Sequence, residues 1–356
     1  MRSSSRSSPL PAAALAAIDA DFAIGGLARS RRGGSQSRRR AARQSPAAPE
    51  ELRRPVGSTV RAANGVRWLP IAGQAQGWDL PWLWSGFSTR MGGRSRAYCA
   101  EDAEPELNLG LTLEDDRAAV MENRRLLVEA VTGSAETPLV TVRQFHSNLV
   151  IRAGAGDAGR ERPRRADGVM TDEPGLLLAV QVADCIPVLV ADRRRRVVGA
   201  FHAGWRGTVR RIVEIGVGRM RLEFGSRPED LIAAIGPGNG PCCYSVGEEV
   251  ISEFESQFVY MRELVHEVYS TDPVRNKYPM LFLTQRAPGH SDIGPQIHID
   301  LIEANRRQLL DAGLRPEAIS IVGGCTACHP ELFYSHRASR GHAGRMMGVI
   351  GVRKRS

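Results

Sequence analysis

Three short stretches of this chain carry residue types that bind metal ions. Gln144-Phe145-His146 and His202-Ala203-Gly204-Trp205-Arg206-Gly207 each offer an imidazole, and Ala183-Asp184-Cys185 offers a thiol. Each stretch can place its side chain at the mouth of a strand. Two imidazoles and one thiolate make three protein ligands. Three ligands with a fourth position open describe a catalytic zinc site, whereas a structural site closes all four. An open position is what lets a metal activate water.

Singly, each residue has a plainer reading. His202 could be a buried histidine closing a strand edge, Cys185 a small core residue, and His146 a surface histidine. The separations, 39 positions from His146 to Cys185 and 17 from Cys185 to His202, mean that only a tertiary fold can assemble them. No local finger pattern is present, nor the H-x-E with P-C-x-x-C signature of cytidine-type zinc deaminases.

Other residues near these three could take part. Gly199 to Gly207 reads as a strand-to-helix junction whose glycines let the backbone approach a ligand. The helix start favours an anion, and Arg206 could add a two-pronged grip on phosphate. Asp184, a carboxylate beside a core strand, needs a partner; it could orient a ligating histidine or pair with an arginine. Arg345, after Gly344, reads as an anion contact or a plain surface charge. Cys325-Thr326-Ala327-Cys328-His329 matches the haem-attachment pattern C-x-x-C-H, which is set aside because no convincing export signal accompanies it. Cys242-Cys243 reads as loop packing or as a thiol pair near the site.

The elements that must position these residues follow from periodicity. Trp82 to Ser88 predicts a strand ending in a loop, Thr89-Arg90-Met91-Gly92-Gly93. Asp115-Asp116 opens a helix with Val120, Leu126, Leu127 and Val131 on one face. Leu176 to Val180, Ile186 to Val190 and Val197 to His202 predict strands, and Thr208 to Phe224 a single helix stopped by Gly225. Leu231 to Ile235 is a further strand. Ser245 with Glu248, and Asp300 with Glu303, are capping-box patterns for the helices that follow. Ile319 to Val322 and Met346 to Val352 are closing strands. Alternation of strand and helix predicts an α/β fold, a single domain of mixed β-sheets flanked by helices.

The chain has 356 residues, 42% hydrophobic and 24% charged, with a formal charge of +9. Residues 1–55 hold eleven arginines against four acids, a local +7, so the other 301 residues carry only +2 of that total. A nucleic-acid footprint on the folded part is therefore not expected. The Arg-, Ser-, Ala- and Pro-rich start predicts a disordered tail over 1–58 and a domain over 59–356, with an Arg-rich arm or transit peptide as the other reading of the tail. Six cysteines are sparse for this length and predict reduced thiols in a cytoplasmic protein. No run approaches the roughly 18 apolar residues of a membrane span.

Taken together, the motifs resemble the bacterial YfiH family, also called the laccase-domain or polyphenol oxidase-like family. The resemblance runs from about Gly86 to Val352. It rests on Thr89-Arg90-x-Gly92-Gly93, Leu107-Asn108-Leu109-Gly110, Gln144-x-His146, Ala166-Asp167-Gly168, Ala183-Asp184-Cys185-x-Pro187, the hexapeptide from His202 to Gly207, Gly236-Pro237 to Cys243-Tyr244, Cys325-Thr326 and Gly344-Arg345. It implies a YfiH-like fold and a purine nucleoside phosphorylase with adenosine deaminase activity. It implies zinc on His146, Cys185 and His202, with copper as the other ion this donor set accepts. Arg90 and Asn108 match positions near the substrate pocket. Catalytic roles are expected for Arg90, Asp184 and Arg206, and substrate contacts for Asn108 and Arg345. The expected partners are purine nucleosides and phosphate, with no nucleic acid or membrane, acting as a monomer or homodimer. Gly238-Asn239-Gly240, Ser245 and His336 depart from the family pattern, which bears on the pocket more than on the metal. Three other readings stay open: a copper-dependent phenol oxidase, a metal-free hydrolase with Cys185 as nucleophile and His202 as base, and a non-catalytic phosphate-binding module.

Overall fold

Apolar runs without polar alternation make strands only where both faces of the sheet are covered, and the two main sheets are covered in that way. The structure, a computed structural model, describes residues 50–269 and 295–354. One six-stranded sheet runs in the order Val60–Arg61, Arg67–Pro70, Leu83–Ser88, Met346–Val352, Leu176–Val182, Leu139–Thr141. The other runs Ile319–Ile321, Leu231–Ile235, Ile186–Asp192, Val198–Ala203, Gly168–Thr171, Val150–Arg152. Central pairings are antiparallel, while the 139–141, 150–152 and 319–321 strands join their neighbours in parallel. The result is an α/β fold of mixed sheets flanked by helices, as expected.

Period-two alternation assigns each side chain to a layer. Leu178, Val180 and Val182 of one sheet meet Leu189, Ala191, Val198 and Ala200 of the other in a shared core between the sheets. The intervening Leu177 and Ala179 turn outward onto Leu126, Leu127 and Val131 of the helix Arg117–Thr132. On the opposite outside, Val188, Val190 and Phe201 pack against the helices Ile212–Phe224, Glu248–Gln257 and Leu301–Asp311. The layers stack as helix, sheet, sheet, helices.

Local sequence explains most element ends. Asp116 caps the 117–132 helix by accepting from the Ala118 and Ala119 amides, and Asp300 caps the 301–311 helix through the Glu303 amide at 2.9 Å. Gly225 closes the 212–224 helix in the left-handed region, φ +69°.

Three local expectations need correction. The loop expected over Thr89 to Gly93 is partly a strand, Met91–Ser95, because its glycines let backbones pack closely: a Cβ on Gly93 would lie 2.2 Å from the Glu106 carbonyl oxygen. The helix expected over Thr208 to Phe224 is two, Trp205–Val209 and Ile212–Phe224, with Arg211 at φ +58° between them. Gln308 Nε2 donates to the Thr208 carbonyl at 2.7 Å, taking the acceptor that a continuous helix would use. Ser245 does not cap the next helix, whose cap residue is Gly247; its hydroxyl accepts instead from Arg337.

Of the tail expected over 1–58, residues 1–49 lie outside the described residues. Residues 50–58 pack onto the body. Arg54 pairs with Asp300 at 2.7 Å, Val56 lies against the inter-sheet core, and Leu52 lies against a cluster of cysteines. Among the described residues no helix is long and apolar enough to cross a membrane.

Candidate metal centre

The 186–192 and 198–203 strands form a hairpin that opens at one end of the sheet stack. His202 pairs with Pro187 across it, which puts Cys185, one step before its strand begins, opposite Gly204. His146 comes from the loop after the 139–141 strand. The Gln144 side-chain amide ties that loop to the 176–182 strand: Nε2 donates to the Gln181 carbonyl and Oε1 accepts from the Gln181 amide, each at 2.8 Å. Three separate chain segments thus meet at one place.

One ligand atom from each of His146, Cys185 and His202 lies within 4.8 Å of the other two. Cys185 Sγ is 4.0 Å from His146 Nε2, and the two imidazole rings are edge to face with centroids 5.1 Å apart. A single ion at about 2.3 Å from sulfur and about 2.0–2.1 Å from nitrogen fits among them after small side-chain adjustments. The donor set suits zinc and does not exclude copper.

The residue that organises the site is Asp167, fully buried in the turn before the 168–171 strand. Its Oδ1 accepts from His202 Nδ1 at 2.9 Å and from the His146 amide at 3.0 Å. Its Oδ2 accepts from both the amide and the hydroxyl of Ser147 at 2.7 Å. One carboxylate therefore sets His202 with the Nδ1 proton inward and Nε2 toward Cys185, and also shapes the His146 loop. That loop needs shaping, since His146 sits at φ +61°.

The charges support one another. Burial alone would push the Cys185 thiol up, but the facing His202 imidazolium and the His146 hydrogen bond bring it down to about 6. Burial alone would lower His202, yet the Cys185 thiolate and Asp167 hold it up at about 9. Asp167, against its own burial, is held down at about 2 by His202 and Ser147.

Gly204 forms the floor. A Cβ there would stand 2.9 Å from Cys185 Sγ and 3.1 Å from His146 Cδ2. Its φ of −69° suits any residue, so the constraint is space alone. Gly204→Ala is expected to weaken metal binding about tenfold and to cost about 1–3 kcal/mol of stability. Metal titration and thermal unfolding measure the two effects.

The other expected residues fall into two groups. Asp184, at φ +87°, does not orient a histidine: its carboxylate accepts from Thr326 Oγ1 and from the Arg337 amide, each at 2.6 Å. The orienting role expected of it belongs to Asp167. Tyr244 lies close enough to Cys185, Arg337, Asp184 and Arg206 to feel their charges; burial and the Cys185 and Asp184 charges hold its phenol protonated, above the ordinary tyrosine range. Arg206 lies over the Trp205 ring at 4.4 Å and Arg337 over the Tyr244 ring at 5.3 Å.

Arg90, by contrast, is taken up by Glu106 at 2.6 Å, the Pro330 carbonyl at 2.7 Å and the Tyr334 ring. Asn108 is fully buried, and its amide is spent on Gly110, Asp115 and the Arg345 amide. It holds the Arg345 backbone in place. The Arg345 guanidinium donates to the Ala343 and Gly344 carbonyls. Among the described contacts none joins Arg90, Asn108 or Arg345 to the three metal-competent residues.

Residues 84–353 match the family model described as multi-copper polyphenol oxidoreductase laccase. The chain is 35% identical over 276 residues to a Geobacillus stearothermophilus protein named purine nucleoside phosphorylase YlmD, covering 76% of this chain and 90% of that one. A Bacillus subtilis protein of the same name is 33% identical, covering 76% of this chain and 88% of that one. The crystal structure of YfiH from Bacillus licheniformis superposes with a TM-score of 0.65 at 30% identity, over 83% of this chain and 99% of that one.

Proposed function

Because this chain belongs to the multi-copper polyphenol oxidoreductase laccase family, we propose that it acts as a purine nucleoside phosphorylase like the relatives so named. Its substrates are then phosphate and adenosine, inosine, guanosine or methylthioadenosine. The finer part of the reading is hydrolytic deamination of adenosine to inosine and ammonia, with zinc as the ion. The observation that carries the proposal is the convergence of His146, Cys185 and His202 within 4.8 Å, with Tyr244 close enough to feel the charges of Cys185, Arg206 and Arg337.

In phosphorolysis a phosphate oxygen bonds to C1′ of the ribose as the C1′–N9 bond breaks. The purine leaves with the bonding electrons and takes up a proton. A bound ion would supply Lewis acidity beside the reacting groups. Asp167 keeps the His202 Nδ1 proton in place, so Nε2 stays a donor atom for the ion. Arg206 and Arg337 supply positive charge for phosphate. We assign that task to them rather than to Arg90, whose guanidinium is already paired. Tyr244, kept protonated, can donate to a substrate oxygen or ring nitrogen. Asp184 sets the Arg337 backbone and so the reach of that side chain.

A second reading has its own support. Cys185 at about 6, His202 at about 9 and Asp167 on the far side of His202 form a thiolate–imidazolium–carboxylate series suited to a metal-free hydrolase. One experiment separates the readings. The purified protein is incubated with adenosine, with and without phosphate, and with a phenol, before and after chelation. Inosine from adenosine, and hypoxanthine with ribose 1-phosphate from inosine and phosphate, both lost on chelation, support the proposal. Hydrolysis that survives complete metal removal supports the hydrolase, and phenol oxidation after copper loading supports an oxidase.

The proton inventory makes a further prediction. Between pH 6 and 9 the apoprotein holds a second ring proton on His202, at Nε2, and none on Cys185. Metal binding must expel that proton. Apparent zinc affinity should therefore rise about tenfold per pH unit from about 6 to about 9. It should level off above that range and fall more steeply below about 6, where Cys185 is also protonated. Calorimetry in buffers of different ionisation enthalpy, reporting about one proton released at pH 7.5 per ion bound by His146, Cys185 and His202, checks it.

A further inference from the structure

Four thiols lie together away from the three metal-competent residues. Cys242 and Cys243 come from the loop after the 231–235 strand, and Cys325 and Cys328 from the loop after the 319–321 strand. Their sulfurs all lie within 4.8 Å of one another. Cys328 Sγ is 3.5 Å from Cys242 Sγ and 3.4 Å from Cys243 Sγ. Cys242 and Cys325 are buried, while Cys243 and Cys328 keep some exposure, which gives an ion a way in.

We propose that Cys242, Cys243, Cys325 and Cys328 form a second metal site, closed by four sulfurs, that takes a single zinc ion. The spacing is the main argument. A tetrahedron with metal–sulfur bonds of about 2.3 Å has edges of about 3.8 Å, close to the separations seen. A disulfide needs about 2.05 Å, and no pair is bonded: all six cysteines are free. Sulfurs so close together leave room for one ion at their centre, not for several irons. The surroundings suit bound thiolate. The Gly240 amide donates to Cys325 Sγ at 3.3 Å, and Arg53 is near enough to stabilise negative charge on Cys328. Gly240 also has no room for a side chain without crowding, since a Cβ would lie 3.2 Å from Cys325 Cβ and 3.3 Å from Cys242 Sγ.

The position gives the site a task. Gly238 bridges to Cys325 in parallel, and the Thr326 amide donates to the Gly238 carbonyl at 2.9 Å. From these two loops Asn239 donates its amide to the Asp184 carbonyl at 2.7 Å, Thr326 holds the Asp184 carboxylate, and Tyr244 directly follows Cys243. Leu52 packs on the same cluster. An ion here clamps the loops that back Asp184 and Cys185, and pins the Glu50–Leu52 turn against them. It has all four positions filled by protein, so it serves structure and not chemistry.

The test is metal content by mass spectrometry, with zinc-edge X-ray absorption, on the full chain purified under reducing conditions. Wild type should hold about two zinc ions. Cys185→Ser should keep about one, surrounded by about four sulfurs at about 2.3 Å. A Cys325→Ser, Cys328→Ser double variant should keep about one, with a mixed nitrogen and sulfur shell. If the double variant fails to fold, Cys185→Ser decides alone. Cys185→Ser protein without metal, or with iron in place of zinc, overturns the proposal. So does a disulfide among these four cysteines, seen as thiols that escape alkylation in denaturant.

Discussion

Cys185→Ala is expected to leave the three-ligand site empty at ordinary zinc concentrations and to lower phosphorolysis about a thousandfold. The magnitude follows from the several kcal/mol that a Lewis acid contributes at a reacting centre, at about 1.4 kcal/mol per tenfold in rate. The same variant tells the two readings of the site apart. In the hydrolase reading Cys185 is the nucleophile, so added zinc at any concentration restores nothing. In the metal reading the alanine leaves two imidazoles, and a large excess of zinc should recover part of the rate. Single-turnover rates across a zinc titration measure the difference. Folding should survive, because Cys185 is only half-buried and packs on the core from its edge.

Asp167→Asn is expected to have a smaller but still large effect without removing a ligand. Every group that meets this carboxylate donates to it: three amides, the Ser147 hydroxyl and His202 Nδ1. An asparagine must turn its NH₂ toward at least some of these donors and cannot serve both histidine segments. Loss of such a partner behind a ligating histidine costs about 10–100-fold in metal affinity or activity. Leaving buried donors unpaired should cost about 1–3 kcal/mol of stability as well. The expected result is reduced zinc affinity with a lower unfolding temperature, and a His202 that titrates lower once its carboxylate is neutral. Unchanged zinc affinity would mean that the Asp167 bonds are merely structural.

Much of this was legible in the sequence. The covered sheets read as strands because Leu176 to Val182 and Ile186 to Asp192 are apolar at nearly every position, which a one-sided sheet would not permit. His146, Cys185 and His202 could be named because each breaks such a pattern at its end. Asp167 also lies in a quoted motif, yet nothing local says which of two nearby aspartates meets a histidine. Asp184 looked better placed, being adjacent to Cys185. The fold reverses that choice, since a left-handed turn at Asp184 sends its carboxylate to Thr326 and Arg337. The break at Arg211 was hidden for a similar reason: its cause, Gln308, is about a hundred residues away. Arg90 and Asn108 look like pocket residues by type, and only the fold shows the partners each has, Glu106 for the partly exposed Arg90 and Asp115 for the buried Asn108. The four-cysteine cluster reads in sequence as two unrelated pairs, because 85 residues separate Cys243 from Cys328 and it takes the parallel pairing of the 231–235 and 319–321 strands, continued by Gly238 with Cys325, to bring them together.

The three ligands stand on supports of unequal firmness. His202 rises from a strand locked between two neighbours and buried throughout, and Cys185 from the hairpin end beside it, whereas the His146 ring is carried by a loop held by Asp167, by Gln144 on Gln181 and by Arg210 on the His146 carbonyl. One buried carboxylate spans the two imidazole segments, so whatever disturbs it is felt at both nitrogen donors together.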